Sequence, residues 1–394
     1  MKPVMYALVG IMTLSPVLAG CGNMHNPQSK SDMAPSSQTP SGDGVIGFVP
    51  TSNGQITQSW LTQAESRWKP VTFSRIVFAP TFTGLSYDNP EAYPGNTEAV
   101  LQKELDMLES SGAQGITIDL GYDPWLSHNQ TIINMDTHFI REIRASGKIL
   151  FLKDASAERY RRFKLPWKQF EAAWVQRVKT IASLYHPEYY TVVKEPGWYA
   201  PMIAGLTRNV NSPADRQVLS VNTWVSLLKK LASAVKQVSP STKVGISIPG
   251  DSLYHGKVPL YVPLMKAASQ LSDINYLGFD IYDANSFNDT LRFLDTVGSH
   301  GKAVWINEAW STTSRNVASN PQRSQLDVQW MKALYQFALY IHAQGVSPFY
   351  TDIFASYGPR PASSSSLLSY YSKRTPVYYE FVKVVAENKV GNTS

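Results

Sequence analysis

Eight short apolar runs follow one another from residue 74 onwards, and a longer mixture of polar and apolar residues separates each run from the next. The apolar residues within each run are nearly continuous, which is typical of strands buried on both faces of a parallel sheet. We therefore predict eight strands, at residues 74–82, 114–120, 148–153, 189–194, 243–248, 274–281, 303–307 and 346–351.

The segments between the predicted strands carry apolar residues at helical spacing. Thr97 can cap a helix that runs to Leu108, and further helical patterns cover 167–184, 224–238, 326–343 and 378–387. Eight strands that alternate with helices predict an α/β fold of the (β/α)8 TIM-barrel type. The alternative is a doubly wound open sheet, for which a glycine-rich phosphate-binding loop after an early strand would be the expected motif. No such loop follows a predicted strand, because the single GxGxxG match, at 42–47, precedes the first predicted strand, and GxxxxGK(S/T) is absent.

Residues 1–20 have the proportions of a secretory signal peptide. Lys2 precedes an apolar stretch at 4–18, which is too short for a comfortable membrane span. The sequence LAGC at 18–21 resembles a bacterial lipobox, and this resemblance implies cleavage before Cys21 and a diacylglycerol on its thiol. The alternative is an ordinary signal peptide with an incidental cysteine.

Cys21 is the only cysteine in the chain, so the mature fold has no disulfide and no thiol nucleophile. Residues 21–43 are rich in Ser, Pro and Gly, and they predict a disordered tether. The predicted catalytic domain covers 44–394, within which 44–73 would cover the barrel bottom or form an extra strand pair. We expect a monomer at the bacterial cell envelope, attached to a membrane through its N-terminal lipid anchor.

The composition is that of an ordinary globular protein, with 43% hydrophobic and 17% charged residues in a chain of 394. The formal charge of +6 comes from scattered Lys and Arg without a basic run, so no nucleic-acid partner is expected. The histidines are dispersed and no GxSxG motif occurs, so we expect no metal, no cofactor and no serine-hydrolase chemistry. The 10 Trp and 21 Tyr residues fit either a large core or stacking platforms for sugar rings.

Polar residues at the carboxyl ends of the predicted strands are candidates for function, because active sites of barrels lie there. They form an acidic and aromatic set: Asp119, Lys153, Asp154, Lys194, Glu195, Trp198, Asp280, Tyr282, Asn307, Glu308, Trp310 and Tyr350. Glycoside hydrolysis needs a carboxylic acid that protonates the leaving oxygen and a carboxylate on the other side of the sugar. Glu195 and Glu308 are the candidates, because each directly follows an apolar strand and precedes a loop with an aromatic residue.

Two motifs resemble those of the large clan of retaining (β/α)8-barrel glycoside hydrolases that includes cellulases, mannanases and galactanases. The sequence VVKEP at 192–196 is similar to the strand-four motif of that clan, and WINEAW at 305–310 is similar to its strand-seven motif. The resemblance implies that Glu195 is the acid/base and that Glu308 is the nucleophile. It also implies that Tyr282 contacts the nucleophile.

Lys194 departs from the clan, which usually has asparagine at this position to hold the sugar 2-hydroxyl. Lysine still donates hydrogen bonds, and its charge is expected to lower the pKa of a neighbouring carboxyl, which works against a general acid. The tryptophan that the clan carries on strand eight is not evident, and Tyr350 or Trp310 is the candidate to replace it.

The remaining candidates are predicted to bind the substrate. We expect Asp119, Lys153, Asp154 and Asn307 to contact sugar hydroxyls, with an ion pair as the alternative for Lys153 and Asp154. Trp198 and Trp310 would stack on sugar rings or pack within loops.

Three functions remain open from the sequence. The first is a retaining, endo-acting glycoside hydrolase whose substrate is a β-linked polysaccharide or oligosaccharide. The second is a surface lipoprotein on the same barrel that binds polysaccharide without cutting it, since fold does not fix function. The third is an aldolase with a Schiff-base lysine at Lys153 or Lys194.

Overall fold

The computed structural model describes most of the chain after the predicted tether. The described residues are 46–51, 54–68, 75–86, 95–121, 129–154, 167–196, 220–255, 260–310, 321–348, 351–357 and 360–390. The predicted signal peptide, Cys21 and the tether lie outside them, as do Trp198 and Tyr350, so what was inferred for these residues stays a prediction.

Eight parallel strands form the centre of the fold. They are β1 (Val77–Phe78), β2 (Gly115–Leu120), β3 (Ile149–Asp154), β4 (Tyr189–Lys194), β5 (Lys243–Pro249), β6 (Tyr276–Ile281), β7 (Ala303–Ala309) and β8 (Gly345–Pro348). Each strand pairs in parallel with its neighbours in chain order, and β8 pairs with β1. A parallel bridge between Thr81 and Thr117 joins β1 to β2 and closes the barrel, which confirms the predicted barrel.

Twelve helices lie among the described residues, most of them in the connections between strands. They are α1 (Gln58–Arg67), α2 (Glu98–Ser110), α3 (Gln130–Ala145), α4 (Trp167–Tyr185), α5 (Val221–Val238), α6 (Ser252–His255), α7 (Tyr261–Ser269), α8 (Ala284–Thr296), α9 (Pro321–Tyr340), α10 (Asp352–Ala355), α11 (Ser364–Tyr370) and α12 (Pro376–Val390). Thr97 caps α2 as predicted, since its side chain accepts from the N–H of Val100. None of these helices combines the length and apolar character that a membrane span requires.

The ends of several strands differ from the prediction by a few residues, and the first and seventh strands are the cases that bear on the site. The first strand is only two residues long, because Pro80 and the facing Pro348 of β8 both lack an N–H, although Thr81 still donates to the carbonyl of Pro348. The seventh strand extends to Ala309, so Glu308 lies within the strand and not after it.

The segment before the barrel adds a helix, and its described residues contain no strand pair. The side chain of Thr57 caps α1, and Trp68 follows the helix. The ring of Trp68 stacks on Phe287 of α8 at 5.0 Å and meets Phe337 of α9 at 4.8 Å. This segment is therefore packed against the outer helical ring.

Aromatic side chains fill the lower half of the barrel interior. Phe151 lies 4.7 Å from Trp305 and 5.9 Å from Tyr276, measured between ring centroids, and all three are buried. Glycines make room for them, because a Cβ on Gly245 would lie 2.2 Å from Tyr276 and one on Gly345 would lie 2.3 Å from Trp305. This aromatic floor closes the barrel from below.

A polar layer separates the aromatic floor from the upper rim. Thr191 donates to Oδ1 of Asn307 at 2.9 Å and lies 2.8 Å from the hydroxyl of Tyr276. On the other side, the hydroxyl of Ser347 lies 3.0 Å from that of Thr117. Charged side chains lie above this layer, at the carboxyl ends of the strands, where the sequence predicted the site.

Candidate active site

The structure brings the two predicted glutamates together at the upper rim. Glu308 lies near the end of β7, and Glu195 directly follows β4. One carboxylate oxygen of each lies within 4.8 Å of the other. The hydroxyl of Tyr282 lies between them, 2.6 Å from Oε2 of Glu308 and 3.3 Å from Oε1 of Glu195. Tyr282 therefore contacts Glu308, as the sequence resemblance implied.

A β-bulge in β7 turns Glu308 into the barrel. Phe279 pairs with Ile306, but the next residue of β6, Asp280, pairs with Glu308, so Asn307 is an extra residue. Successive residues of a regular strand point to opposite faces, and a bulge re-aims the side chains around it. The side chains of Asn307 and Glu308 accordingly both lie inside the barrel, with Asn307 in the polar layer below.

The backbone of Glu195 has an unusual conformation. Its φ is +45°, in the left-handed region that side chains with a Cβ avoid, and its N–H donates to the carbonyl of Ser247 at 2.9 Å. Non-glycine residues in such conformations cost about 1–3 kcal/mol and cluster at functional sites. This turn directs Glu195 toward Glu308 at the end of the strand.

Two buried lysines contact the same oxygen of Glu308. Nζ of Lys194 lies 2.6 Å and Nζ of Lys153 lies 3.0 Å from Oε1. Both ammonium groups also face Asp119, at 3.6 Å and 3.4 Å respectively. All four side chains are almost completely buried, so water screens these charges little. We call Asp119, Lys153, Lys194, Glu195, Asp280 and Glu308 the charged cluster.

The electrostatics of the charged cluster keep Glu308 ionised. Burial by itself would raise the pKa of its carboxyl. The ammonium groups of Lys153 and Lys194, together with hydrogen bonds from Lys194 and Tyr282, outweigh that effect and lower the pKa to about 2. Glu308 is therefore a carboxylate across the whole neutral and mildly acidic range.

Asp280 is the member of the charged cluster to which the sequence assigned no role. Its carboxyl converges with those of Glu195 and Glu308, each offering an oxygen within 4.8 Å of the others. On distance alone this convergence would suit a divalent cation, but the two ammonium groups on Glu308 would repel it. The sequence could have indicated a place for Asp280 in the site, because side chains alternate along a strand and Asp280 therefore lies on the same face of β6 as Tyr282.

Other predicted site residues lie elsewhere. Asp154 pairs with Arg177 of α4 and accepts from the hydroxyl of Tyr190 at 3.2 Å, on the helix-facing side of β3. It does not reach the charged cluster. Trp310 is nearly buried and its ring lies 5.4 Å from that of Tyr282, so it packs beside the site.

A second buried acidic network lies beside the loop after β1. Both carboxylate oxygens of Glu104 accept from the N–H of Gly84 at 3.1 Å. Burial first, and then the nearby carboxylate of Asp352, raise the pKa of Glu104 to about 8. Asp352 itself accepts from the hydroxyl of Tyr371 at 2.5 Å and faces Arg360. This network fastens the loops after β1 and β8 to α2.

The fold and the site define an eight-stranded parallel α/β barrel with two glutamates converging at the carboxyl ends of β4 and β7. No protein-family model matches the chain, and no curated protein matches it in sequence. Solved structures with the same fold include glycoside hydrolases. A β-glucosidase from Thermotoga maritima in complex with cyclophellitol aligns with a TM-score of 0.55 at 12% identity, over 80% of this chain and 98% of that one.

Two further structures align similarly. They are a family 1 β-glucosidase from Thermotoga maritima (TM-score 0.54, 11% identity, 81% of this chain and 99% of that one) and the β-glycosidase BGL167 (TM-score 0.52, 11% identity, 81% and 97%). At such low identity these likenesses show the fold alone.

Proposed function

We propose that this protein is a glycoside hydrolase that cleaves a β-linked polysaccharide with retention of configuration. The observation that carries the proposal is the convergence of Glu195 and Glu308, with oxygens within 4.8 Å and one tyrosine hydroxyl between them. Carboxyl groups about 5–5.5 Å apart are typical of retaining enzymes, whereas inverting enzymes leave about 6.5–9.5 Å for a water. The separation supports direct attack by a carboxylate.

Glu308 has the properties of the nucleophile. It is ionised, and both lysines hold its Oε1, while Oε2 accepts the hydroxyl of Tyr282. Attack through Oε2 would leave both ion pairs in place. The fixed carboxylate needs no reorientation before the reaction, which lowers the entropic part of the barrier.

Glu195 is the general acid and then the general base. In the first step, Oε2 of Glu308 bonds to the anomeric carbon, the glycosidic C–O bond breaks, and the proton of Glu195 passes to the leaving oxygen. In the second step, Glu195 takes a proton from water, whose oxygen bonds to the anomeric carbon as the bond to Glu308 breaks. Both glutamates return to their starting states.

The substrate and the location are parts of the same proposal. The β-linkage is suggested by the fold shared with β-glucosidases, and endo action by the aromatic residues predicted around the rim. The lipobox-like sequence at 18–21 supports a lipid anchor on Cys21 and a place at the bacterial cell envelope. A monomer is part of the proposal, because β2, β3, β4, β6 and β7 of one chain, with the residues that directly follow them, supply the charged cluster and Tyr282.

The test is reducing-end release from a panel of β-linked polysaccharides. We expect the Glu195→Gln and Glu308→Gln variants each to lose activity by about 10³-fold or more, since each removes an essential group. Asp295→Asn, at an exposed position, is the matched control and should match the wild type. Full activity of both glutamine variants on every cleaved glycan would exclude the assignment.

Small anions separate the two roles. Azide added to Glu308→Gly should restore turnover and give a glycosyl azide of the anomeric configuration opposite to the substrate. With Glu195→Gly and an activated aryl glycoside, the azide product should keep the configuration of the substrate. The reverse pattern would exchange the roles of the two glutamates.

A second candidate is a binding protein that does not cut polysaccharide. The two ion pairs on Glu308 favour it, because they stabilise this carboxylate as a structural anion. Retention of polysaccharide by the wild type with no reducing-end release from any member of the panel would support this alternative. For the aldolase hypothesis, borohydride trapping of a carbonyl compound on Lys153 or Lys194 is the corresponding test.

A further inference from the structure

Asp280 is a completely buried acid of the charged cluster. Its side chain is 0% exposed, and neither carboxyl oxygen has a partner among the described residues. It lies in β6 directly opposite Glu308 of β7. An unpaired carboxylate in such a position would lose its hydration without compensation, which is among the most expensive arrangements in a protein.

The neighbours of Asp280 make its ionisation more costly still. One carboxyl oxygen of Asp280 lies within 4.8 Å of an oxygen of Glu308 and of Glu195. A negative charge on Asp280 would therefore be repelled by negative charges on the other two carboxyl groups. Lys194 and Lys153 act in the opposite direction. Burial, followed by the charges of Glu308 and Glu195, outweighs the lysines and raises the pKa of Asp280 well above its usual value.

A charge count leads to the same conclusion. Lys153 and Lys194 contribute two positive charges, and both contact Glu308 and Asp119. Two ionised carboxylates therefore balance the two ammonium groups. Another ionised acid would give the buried cluster a surplus negative charge, so of the remaining acids the completely buried Asp280 has the strongest reason to stay neutral.

We propose that Asp280 keeps its proton throughout the catalytic cycle, so that the charge of the cluster stays constant. The surroundings of a buried carboxylic acid can keep it neutral at pH 7 in this way. This inference rests on the proposed glycoside hydrolysis for its functional part, whereas the protonation itself is a property of the free protein.

A permanently neutral Asp280 keeps the charge of the cluster constant during the reaction. When Glu308 forms the glycosyl ester it loses its negative charge, and Glu195 gains one by giving its proton to the leaving oxygen. The two lysines therefore meet the same total charge before and after the first step. An Asp280 that ionised at either stage would break this balance.

The direct test is infrared spectroscopy of the full chain at neutral pH, without substrate. The difference spectrum of wild type minus Asp280→Asn should contain the carbonyl band of a neutral carboxylic acid. The matched control, wild type minus Asp295→Asn at an exposed position, should lack this band. Absence of the neutral band in the first difference would overturn the proposal.

A second variant tests the cause. Glu308→Gln removes the negative charge that raises the pKa of Asp280 most, and it leaves both ammonium groups in place. The pKa of Asp280 should therefore fall. In that background, the neutral band assigned to Asp280 should disappear at a lower pH than in the wild type. An unchanged titration of this band would show that Glu308 does not hold the proton on Asp280, which contradicts the proposal.

The pH profile of glycan cleavage tests the functional part. Asparagine replaces one neutral group with another, so Asp280→Asn should leave the pH midpoints of kcat/KM within about half a unit of the wild type. If Asp280 were ionised, its removal would lower the pKa of Glu195 and move the alkaline limb down by about one unit or more, which would overturn the proposal. The infrared result is independent of substrate, so it stands even if no glycan is cleaved.

Discussion

The ammonium group of Lys194 lies 2.6 Å from Oε1 of Glu308, so the residue that precedes one of the paired glutamates in the chain neutralises the other. The sequence led us to expect that this lysine would act on the pKa of a neighbouring carboxyl. The contact is with the proposed nucleophile, whose ionised form it favours. The proposed acid, Glu195, follows in the chain, and its left-handed backbone directs its side chain toward Glu308.

Removal of Lys194 should change the pH dependence of cleavage. In Lys194→Met, the pKa of Glu308 should rise from about 2, because burial would then be opposed by Lys153 and Tyr282 alone. The acidic limb of kcat/KM should move up by about one unit or more. Lys229→Met, at an exposed position, is the control and should leave the profile unchanged. An acidic limb that does not move would contradict the assignment of Glu308.

Glu308 should also stabilise the fold through its ion pairs. Its folded pKa of about 2 lies below the ordinary 4.5, so its contribution is complete above pH 4.5 and is lost as the pH falls through 2. Glu308→Gln should lower the free energy of unfolding at pH 7 by about 3–5 kcal/mol, as expected when one partner of a buried pair is removed. Urea denaturation measures this difference.

The control for that experiment is an exposed pair of the same kind. Glu387 lies 3.7 Å from Lys383 on the surface of α12, and Glu387→Gln should cost about 0.5 kcal/mol or less. Equal losses in the two variants would mean that burial of the Glu308 pairs adds nothing to their strength.

The left-handed backbone of Glu195 should be measurable as strain. Glycine adopts this conformation without penalty, so Glu195→Gly should be more stable than Glu195→Ala by about 1 kcal/mol. At Glu142, an exposed position in α3, the order should be reversed by a similar amount, because glycine destabilises helices. Thermal and urea unfolding of the four variants would reveal the two orders. Alanine equal to or better than glycine at position 195 would argue against strain there.

The network around Glu104 should make the protein less stable in alkali. The pKa of Glu104 is raised to about 8 in the folded state, above the ordinary 4.5, so the folded state binds the extra proton. Stability is therefore full below pH 4.5 and declines as the pH rises through 8, by at most about 1.4 kcal/mol per pH unit for this group. Glu104→Gln should flatten the decline between about pH 4.5 and 8, whereas an unchanged slope would assign it to other groups.

The sequence predicted the eight strands and the convergence of the two glutamates, because continuous apolar runs and strand ends are visible in it. It did not predict the directions of adjacent side chains. Lys153 and Asp154 were both assigned to the site, but neighbours in a regular strand point to opposite faces, and Asp154 faces Arg177.

In β4 and β7, by contrast, two adjacent side chains point to the same side of the sheet. Lys194 and Glu195 both reach the charged cluster, and the side chains of Asn307 and Glu308 both lie inside the barrel, although each pair is adjacent in the chain. A left-handed residue and a β-bulge break the alternation at these points. Neither feature can be predicted from the sequence, because no glycine stands at either position. Both depend on the packing of the whole barrel.

The aromatic floor has a consequence for how this protein tolerates change. Phe151, Tyr276 and Trp305 seal the lower barrel with hydrocarbon, and the polar layer above them insulates the charged residues from that packing. Substitutions below the polar layer should alter the melting temperature and leave the acid–base behaviour of the rim intact, whereas substitutions above it should alter both. The lower half of the barrel interior is thus free to change in evolution without an effect on the chemistry of the rim.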